Sequence, residues 1–272
     1  MPTEHGSLTD FCETPRLRTG QRSGGLRADL KPEAQKGKLM IKFYYSGAPN
    51  PMKVALMLEE CGLAYEAIPV DTRKGDQHKP EYLAINPNAK VPAIIDGDAT
   101  VFDSGAILLY LGEKTGKFMP AKGDKLQSDK AYGELLSWMM FIASGVGPYS
   151  GQSVHFRNYT PEKIPYAINR YAYEAQRHWG IVDARLAKQK YMVGDTYTIV
   201  DIALWGWSRL IPNVLGEGAM DKFPNVKRLT DEINARPAVA RANAMKDKHK
   251  FKAEFDDEAR KAMFRHQVEQ VA

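Results

Sequence analysis

Residues 86–111 read NPNAKVPAIIDGDATVFDSGAILLYL, and this stretch decides the architecture. Val91–Ile95 and Thr100–Phe102 are short apolar runs of strand type, separated by Asp96-Gly97-Asp98, which carries the turn chemistry of a hairpin. Asp103 and Ser104 then open a helical pattern that places Ile107, Leu108, Tyr110 and Leu111 in sequence and stops near Gly116. The segment is a ββα unit.

Upstream lies the complementary half. Ile41–Ser46 is a β run. Asn50-Pro51 opens a helix through Val54, Leu56, Met57 and Leu58 to Gly62, with Asn50 as the expected N-cap, Pro51 in the first helical position and glycine as the stop. Tyr65–Val70 is a second strand, and a short helix is expected near Pro80–Ile85. The order β-α-β-α-β-β-α over residues 40–120 predicts a mixed sheet with helices on its faces.

No strand pattern recurs after Pro120. Helices are expected at Leu126–Ser144, Pro161–Lys188, Ile199–Val214 and Asn225–Arg236. Thr198 and Asp201 have capping-box spacing at the start of the third. Phe251, Phe255, Ala259, Ala262 and Met263 suggest a last amphipathic helix. The expected division is a flexible leader at 1–39, poor in apolar periodicity, an α/β domain at 40–120, an all-helical domain at 121–246 and an amphipathic C-terminal extension at 247–272.

Composition narrows the function classes. The 272 residues are 43% hydrophobic and 26% charged, the balance of a globular chain. No stretch approaches the roughly 18 apolar residues of a membrane span. The net charge of +5, from 38 basic and 33 acidic residues, is a weak excess, and the Lys246–Lys250 cluster is diluted by Asp247, so no nucleic-acid surface is expected. The two cysteines, Cys12 and Cys61, form neither a CxxC pair nor a metal-spaced cluster. No metal, no disulfide scaffold and a reducing, cytoplasmic compartment are expected.

The 86–95 and 103–111 segments, with Asp195–Trp205 (DTYTIVDIALW, after Gly194), resemble the cytosolic glutathione transferases over Met40 to about Met245. Gly75-Asp76-Gln77, Gly145-Val146-Gly147-Pro148, Gly151-Gln152 and Ile164–Ile168 with Arg170 are similar to the bacterial Nu-class branch and to the globular domain of a fungal nitrogen regulator. The resemblance implies a thioredoxin-like domain followed by a helical one, and a homodimer. It implies glutathione as co-substrate, used to reduce disulfides and peroxides, with weak conjugation of electrophiles.

It also implies roles for particular residues. Asp103 and Ser104 would hold the γ-glutamyl arm, which suits the free amides of a helix start, although an Asp-Ser pair there is equally an ordinary cap. Val91 would pair with the cysteinyl amide through a cis bond to Pro92. Gln77 and Lys90 are candidates for the glycyl carboxylate and are equally surface residues. Arg170 would reach back from the helical domain, or form a helix-surface ion pair. The usual catalytic hydroxyl position is Ala48, so the sulfur falls to Asn50, whose amide can donate to a thiolate or merely cap the helix, with Ser46, Tyr44 and Tyr45 behind it. Trp138 and Tyr149, with Phe141 and His155 behind them, are candidates for the second-substrate pocket and fit a core role as well, and Cys61 reads as a buried apolar residue. The rival reading of the chain is a transferase-fold interaction or regulatory protein that binds glutathione weakly or not at all.

Overall fold

The computed structural model describes residues 40–120 and 125–267, so the expected leader at 1–39 lies outside the described residues. Strands β1 (Ile41–Tyr45), β2 (Tyr65–Pro69), β3 (Ala93–Asp96) and β4 (Ala99–Phe102) form one sheet in the order β2-β1-β3-β4. β1 and β2 are parallel, with Phe43 opposite Ala67. β1 and β3 are antiparallel, with Phe43 opposite Ile94, and β3 and β4 form the expected hairpin. Helices α1 (Pro49–Cys61), the short α2 (Pro80–Leu83) and α3 (Ser104–Thr115) complete this half, which is the thioredoxin-like arrangement.

α1 is buried on nearly every side, from Pro51 through Leu58. It packs against α3, against α7 (Ile199–Ser208) and against α10 (Pro237–Asp247). A helix enclosed all round needs an all-round apolar sequence. VALML supplies it, while Lys53 breaks the pattern.

The helical half begins with α4 (Lys125–Phe141). A wider π-helical turn at Ile142–Val146 joins it to α5 (Gly147–Val154), a helix the sequence pattern does not separate, and a second π turn follows at His155–Tyr159. α6 (Pro165–Leu186) forms the long wall. The expected single helix at Ile199–Val214 is two, α7 and α8 (Ile211–Leu215), because the chain breaks at Arg209-Leu210 before Pro212. α9 (Pro224–Asn234) is followed by α10, which has no counterpart among the expected helices.

The C-terminal extension corrects the expectation of one amphipathic helix. Residues 250–256 form no regular secondary structure, and the one α-helix among the described residues of the extension is α11 (Asp257–Met263). The reason is tertiary. Lys252 N–H donates to Asp71 Oδ2 at 2.7 Å and the Arg73 guanidinium donates to Lys252 O at 3.2 Å, so side chains of the α/β half take the backbone groups that a helix would pair internally. Phe251 packs edge-on against Tyr45, and Phe255 lies against Tyr159.

The start of α7 matches its expected cap. Thr198 and Asp201 form a reciprocal capping box, and both are fully buried. The Asp201 carboxylate accepts from Met192 N–H at 2.9 Å, from Thr198 N–H at 2.8 Å and from the Thr198 hydroxyl at 3.2 Å. Asp201→Ala leaves these donors buried and unpaired, and should lower the unfolding free energy by about 3 kcal/mol. Chemical denaturation reads this directly, and a loss below about 1 kcal/mol would contradict the assignment.

Candidate functional site

Between the two halves lies a cleft of about 450 Å³. Its polar wall comes from Asn50 and Lys53 of α1, the loop Asn86–Pro92 and the start of α3; its more apolar wall comes from Met139, Ile142, Ala143, Gly147, Pro148, Ala203 and Trp207. Gln152 joins them from α5.

The 86–92 loop is held by its own side chains. Asn86, 2% exposed, donates from Nδ2 to Lys90 O at 2.6 Å and accepts Asn88 N–H at 3.0 Å, while the Tyr82 hydroxyl donates to the same Lys90 carbonyl at 2.6 Å. The Val91–Pro92 peptide is cis, as the family resemblance implies. The ladder to β1 starts only at Ala93, so the Val91 peptide groups are outside it, at the cleft wall.

At Asp103 and Ser104 the helix cap uses only one of the two carboxylate oxygens. Asp103 is the N-cap of α3, with φ 71°, a conformation that costs a non-glycine residue about 1–3 kcal/mol and tends to occur at functional sites. Its Oδ1 takes both capping bonds, from Gly105 N–H at 2.8 Å and Ala106 N–H at 3.2 Å. Its Oδ2 has no partner among the described residues and is left for a ligand cation. The Ser104 hydroxyl lines the cleft and likewise has no partner among the described residues, and the Ser104 N–H belongs to the helix start, where no earlier carbonyl of the helix can reach it.

Asn50 is not the N-cap. Ala48 is, Pro49 occupies the first helical position, and Asn50 is the second residue of α1. Its side chain is instead engaged by Trp207 of α7, whose indole Nε1–H donates to Asn50 Oδ1 at 3.1 Å. An indole N–H can only donate, so the amide oxygen must face Trp207 and the NH₂ group is left for the cleft. Gly147 and Gly151 lie beside the indole, where a Cβ would be in ordinary contact with it, 3.4 Å from Nε1 at Gly147 and 3.6 Å from the far ring edge at Gly151.

Several expected site residues lie elsewhere. Ser46 accepts Ala48 N–H at 3.4 Å and faces a second cavity, of about 430 Å³, with Asp71, Arg73, Tyr159 and Lys252, because the chain turns there from β1 under the C-terminal extension. Gln77 is 4% exposed under that extension, and its amide nitrogen donates to Thr72 O at 3.3 Å and to Ala262 O at 3.0 Å. Both amide hydrogens are thereby used, and only the buried Oε1 is unpaired, so Gln77 offers no donor to a carboxylate in this arrangement. Arg170 takes the surface alternative, a 2.9 Å ion pair with Glu174. Lys90 does line the cleft.

Trp138 and Tyr149 are not among the cleft-lining residues. Trp138 packs edge-on against Phe141 beneath Arg185, and Tyr149 stacks on His178 at 4.9 Å. The neighbours Met139 and Pro148 line the cleft in their place, and one residue along a helix turns a side chain by about 100°. His155 lies against Phe264 of the extension, and burial, with His266 nearby, pulls its imidazole pKa down. The unforeseen site residues are Trp207, Gln152, Met139 and Lys53. The one signal for Lys53 is a lone charge inside the otherwise apolar run Pro51–Leu58.

Residues 40–113 match the family described as Glutathione S-transferase, N-terminal domain, and residues 171–237 match Glutathione S-transferase, C-terminal domain. The chain is 40% identical over 210 residues to Disulfide-bond oxidoreductase YfcG of Escherichia coli (strain K12), covering 75% of this chain and 94% of that protein. Among solved structures, glutathione transferase URE2P6 from Phanerochaete chrysosporium, in complex with oxidized glutathione, superposes with a TM-score of 0.71 at 37% identity, covering 78% of this chain and 98% of that one. A glutathione transferase family member from Pseudomonas fluorescens, with two glutathione bound, gives 0.69 at 37% identity, covering 77% and 94%. The chain belongs to the glutathione S-transferase family.

Proposed function

We propose that this chain reduces disulfides with glutathione, which it holds in the cleft as the thiolate. The observation that carries the reading is the Asn50 amide, turned by Trp207 so that its NH₂ group is available to the cleft. A hydrogen-bond donor there favours the charged form of a sulfur. The unpaired Asp103 Oδ2 and Ser104 hydroxyl suit the ligand's amino and carboxylate groups, and Val91 suits its cysteinyl amide. The named relatives support the same reading, one a disulfide-bond oxidoreductase and one bound to oxidized glutathione.

The chemistry needs two glutathione molecules. The first thiolate attacks one sulfur of the substrate disulfide, breaking the S–S bond and releasing a substrate thiolate. A second glutathione thiolate attacks the glutathionyl sulfur of the mixed disulfide, giving oxidised glutathione and the second substrate thiolate. Two protons shed by the two glutathiones on ionisation end on the two product thiols. The apolar wall of Met139, Ile142 and Pro148 faces the region where the substrate would approach. Hydroperoxide reduction and weak conjugation would draw on the same thiolate, and a reducing cytoplasmic setting supplies the reductant.

Exposed apolar side chains support a homodimer: Phe102 at the end of β4, Met140 on α4, and Tyr166 and Tyr173 on α6, the last two 81% and 64% exposed. Light scattering should give twice the 30.5 kDa chain mass, and a monomer at micromolar concentration would contradict this.

Site variants test the chemistry. Ser104→Ala removes a donor to a charged group, a contact of about 1.5–3 kcal/mol, and should weaken glutathione roughly tenfold or more with the fold intact. Asn50→Asp sets a negative charge beside the sulfur and should abolish most reductase turnover with a small disulfide. Trp207→Phe frees the Asn50 amide to rotate and should lower kcat several-fold without weakening S-methylglutathione. Full activity of Asn50→Asp would contradict the assignment, and a wild-type chain inert toward disulfides, peroxides and electrophiles would favour the interaction-protein reading.

A further inference from the structure

We infer that Lys53 is the fixed positive charge of the cleft, and that this charge holds the sulfur of bound glutathione as thiolate while Asn50 makes the direct hydrogen bond. The inference rests on the glutathione reading above and deepens it.

Lys53 is 4% exposed, between Met52 and Val54, both fully buried. Lysine is almost never buried without a partner. Yet its ammonium has no hydrogen bond among the described residues, and it lines the cleft together with Asn50. The two are three residues apart on α1, so they share a face of the helix.

The neighbouring helix is shaped around this side chain. A Cβ on Gly206 of α7 would lie 2.5 Å from Lys53 Cγ and 2.8 Å from Cε. Glycine inside a helix costs about 1 kcal/mol relative to alanine, and here it opens the passage along which the lysine stem reaches the cleft.

The groups around the ammonium leave its charge uncompensated. Asp103, at the start of α3, is the charged residue that acts on it, and only at a distance, with one oxygen committed to the cap. α7 presents Gly206 and Trp207, which do not titrate, and the 86–92 loop adds a second cation, Lys90, to the cleft. Burial pushes the lysine pKa down to about 8, with Asp103 opposing the shift. At neutral pH the ammonium is still mostly protonated, and Asp103 acts on it without forming an ion pair.

The thiolate fits that vacancy better than a carboxylate does. The γ-glutamyl carboxylate has its own donors at Ser104. Asn50, one turn before Lys53, is the group placed for sulfur, and Ala48 brings no hydroxyl to share the task.

Lys53→Met, in the full chain, tests this by separating stability from chemistry. Removing a buried, unpaired charge should raise the stability of the ligand-free protein at neutral pH, whereas a structural lysine would make the variant less stable. The advantage should shrink as pH rises from about 8 to 10.5, since the unfolded chain binds more protons at Lys53 across that window and wild-type stability therefore climbs through it. The variant should bind S-methylglutathione, which has no ionisable thiol, as wild type does. Its bound glutathione thiol should titrate about one pH unit higher, so that turnover at neutral pH falls about tenfold and recovers at higher pH. Equal weakening of both ligands would assign Lys53 to a carboxylate, and an unchanged pH–rate profile or a less stable variant would make it structural; each overturns the inference. Wild type that binds neither ligand would overturn the glutathione reading itself.

Discussion

Enclosure of α1 is the constraint on which the rest depends. This helix lies between the sheet on one side and α7 on the other, with α3 and α10 closing the remaining approaches. That packing joins the α/β half to the helical half and fixes the separation of the cleft walls. It also creates the two contacts on which the proposed chemistry rests: the Trp207 hydrogen bond to the Asn50 amide oxygen, and the close passage of the Lys53 stem over Gly206. The polar groups of the cleft are thus set into a closely packed interface, where side chains have little freedom to move.

The cleft is asymmetric in a way that suits a charged peptide on one side and an undefined partner on the other. Backbone groups at Val91, the start of α3 and the end of the Asp103 carboxylate supply directional contacts on the α/β wall. The opposite wall is built from a π-helical turn and the glycine-rich start of α5, and offers mostly apolar surface. With alanine at position 48, the proposed activation of sulfur would depend on an amide and a positive potential rather than on a hydroxyl. A buried cation acts through space and so tolerates a ligand whose sulfur must move between attack and resolution.

Much of this was legible in the sequence because local signals and tertiary packing agree there. Asp103 and Gly116 bound α3 as the sequence reading expects, and Thr198 and Asp201 cap α7. The failures occur where distant residues decide. Pro49-Asn50-Pro51 permits either proline to start α1; the helix starts at Pro49, which puts Asn50 inside it, and the partner of its side chain, Trp207, lies 157 positions away. Trp138 and Tyr149 were near the cleft in sequence, but helical rotation and the π turn present their neighbours to it. Phe251 and Phe255 suggest a helix face, yet Asp71 and Arg73 take backbone groups of that segment, and its continuation takes one of the two amide hydrogens of Gln77, Thr72 O taking the other. None of these contacts has a signature within a local window.

The central claim is that the cleft binds glutathione as its thiolate. Calorimetric binding at neutral pH, repeated in buffers of different ionisation enthalpy, counts the protons released when glutathione binds. A bound thiolate requires release of close to one proton per glutathione, and none for S-methylglutathione. Saturable binding of glutathione with no proton release would mean that the sulfur stays protonated in the cleft, and would contradict the account.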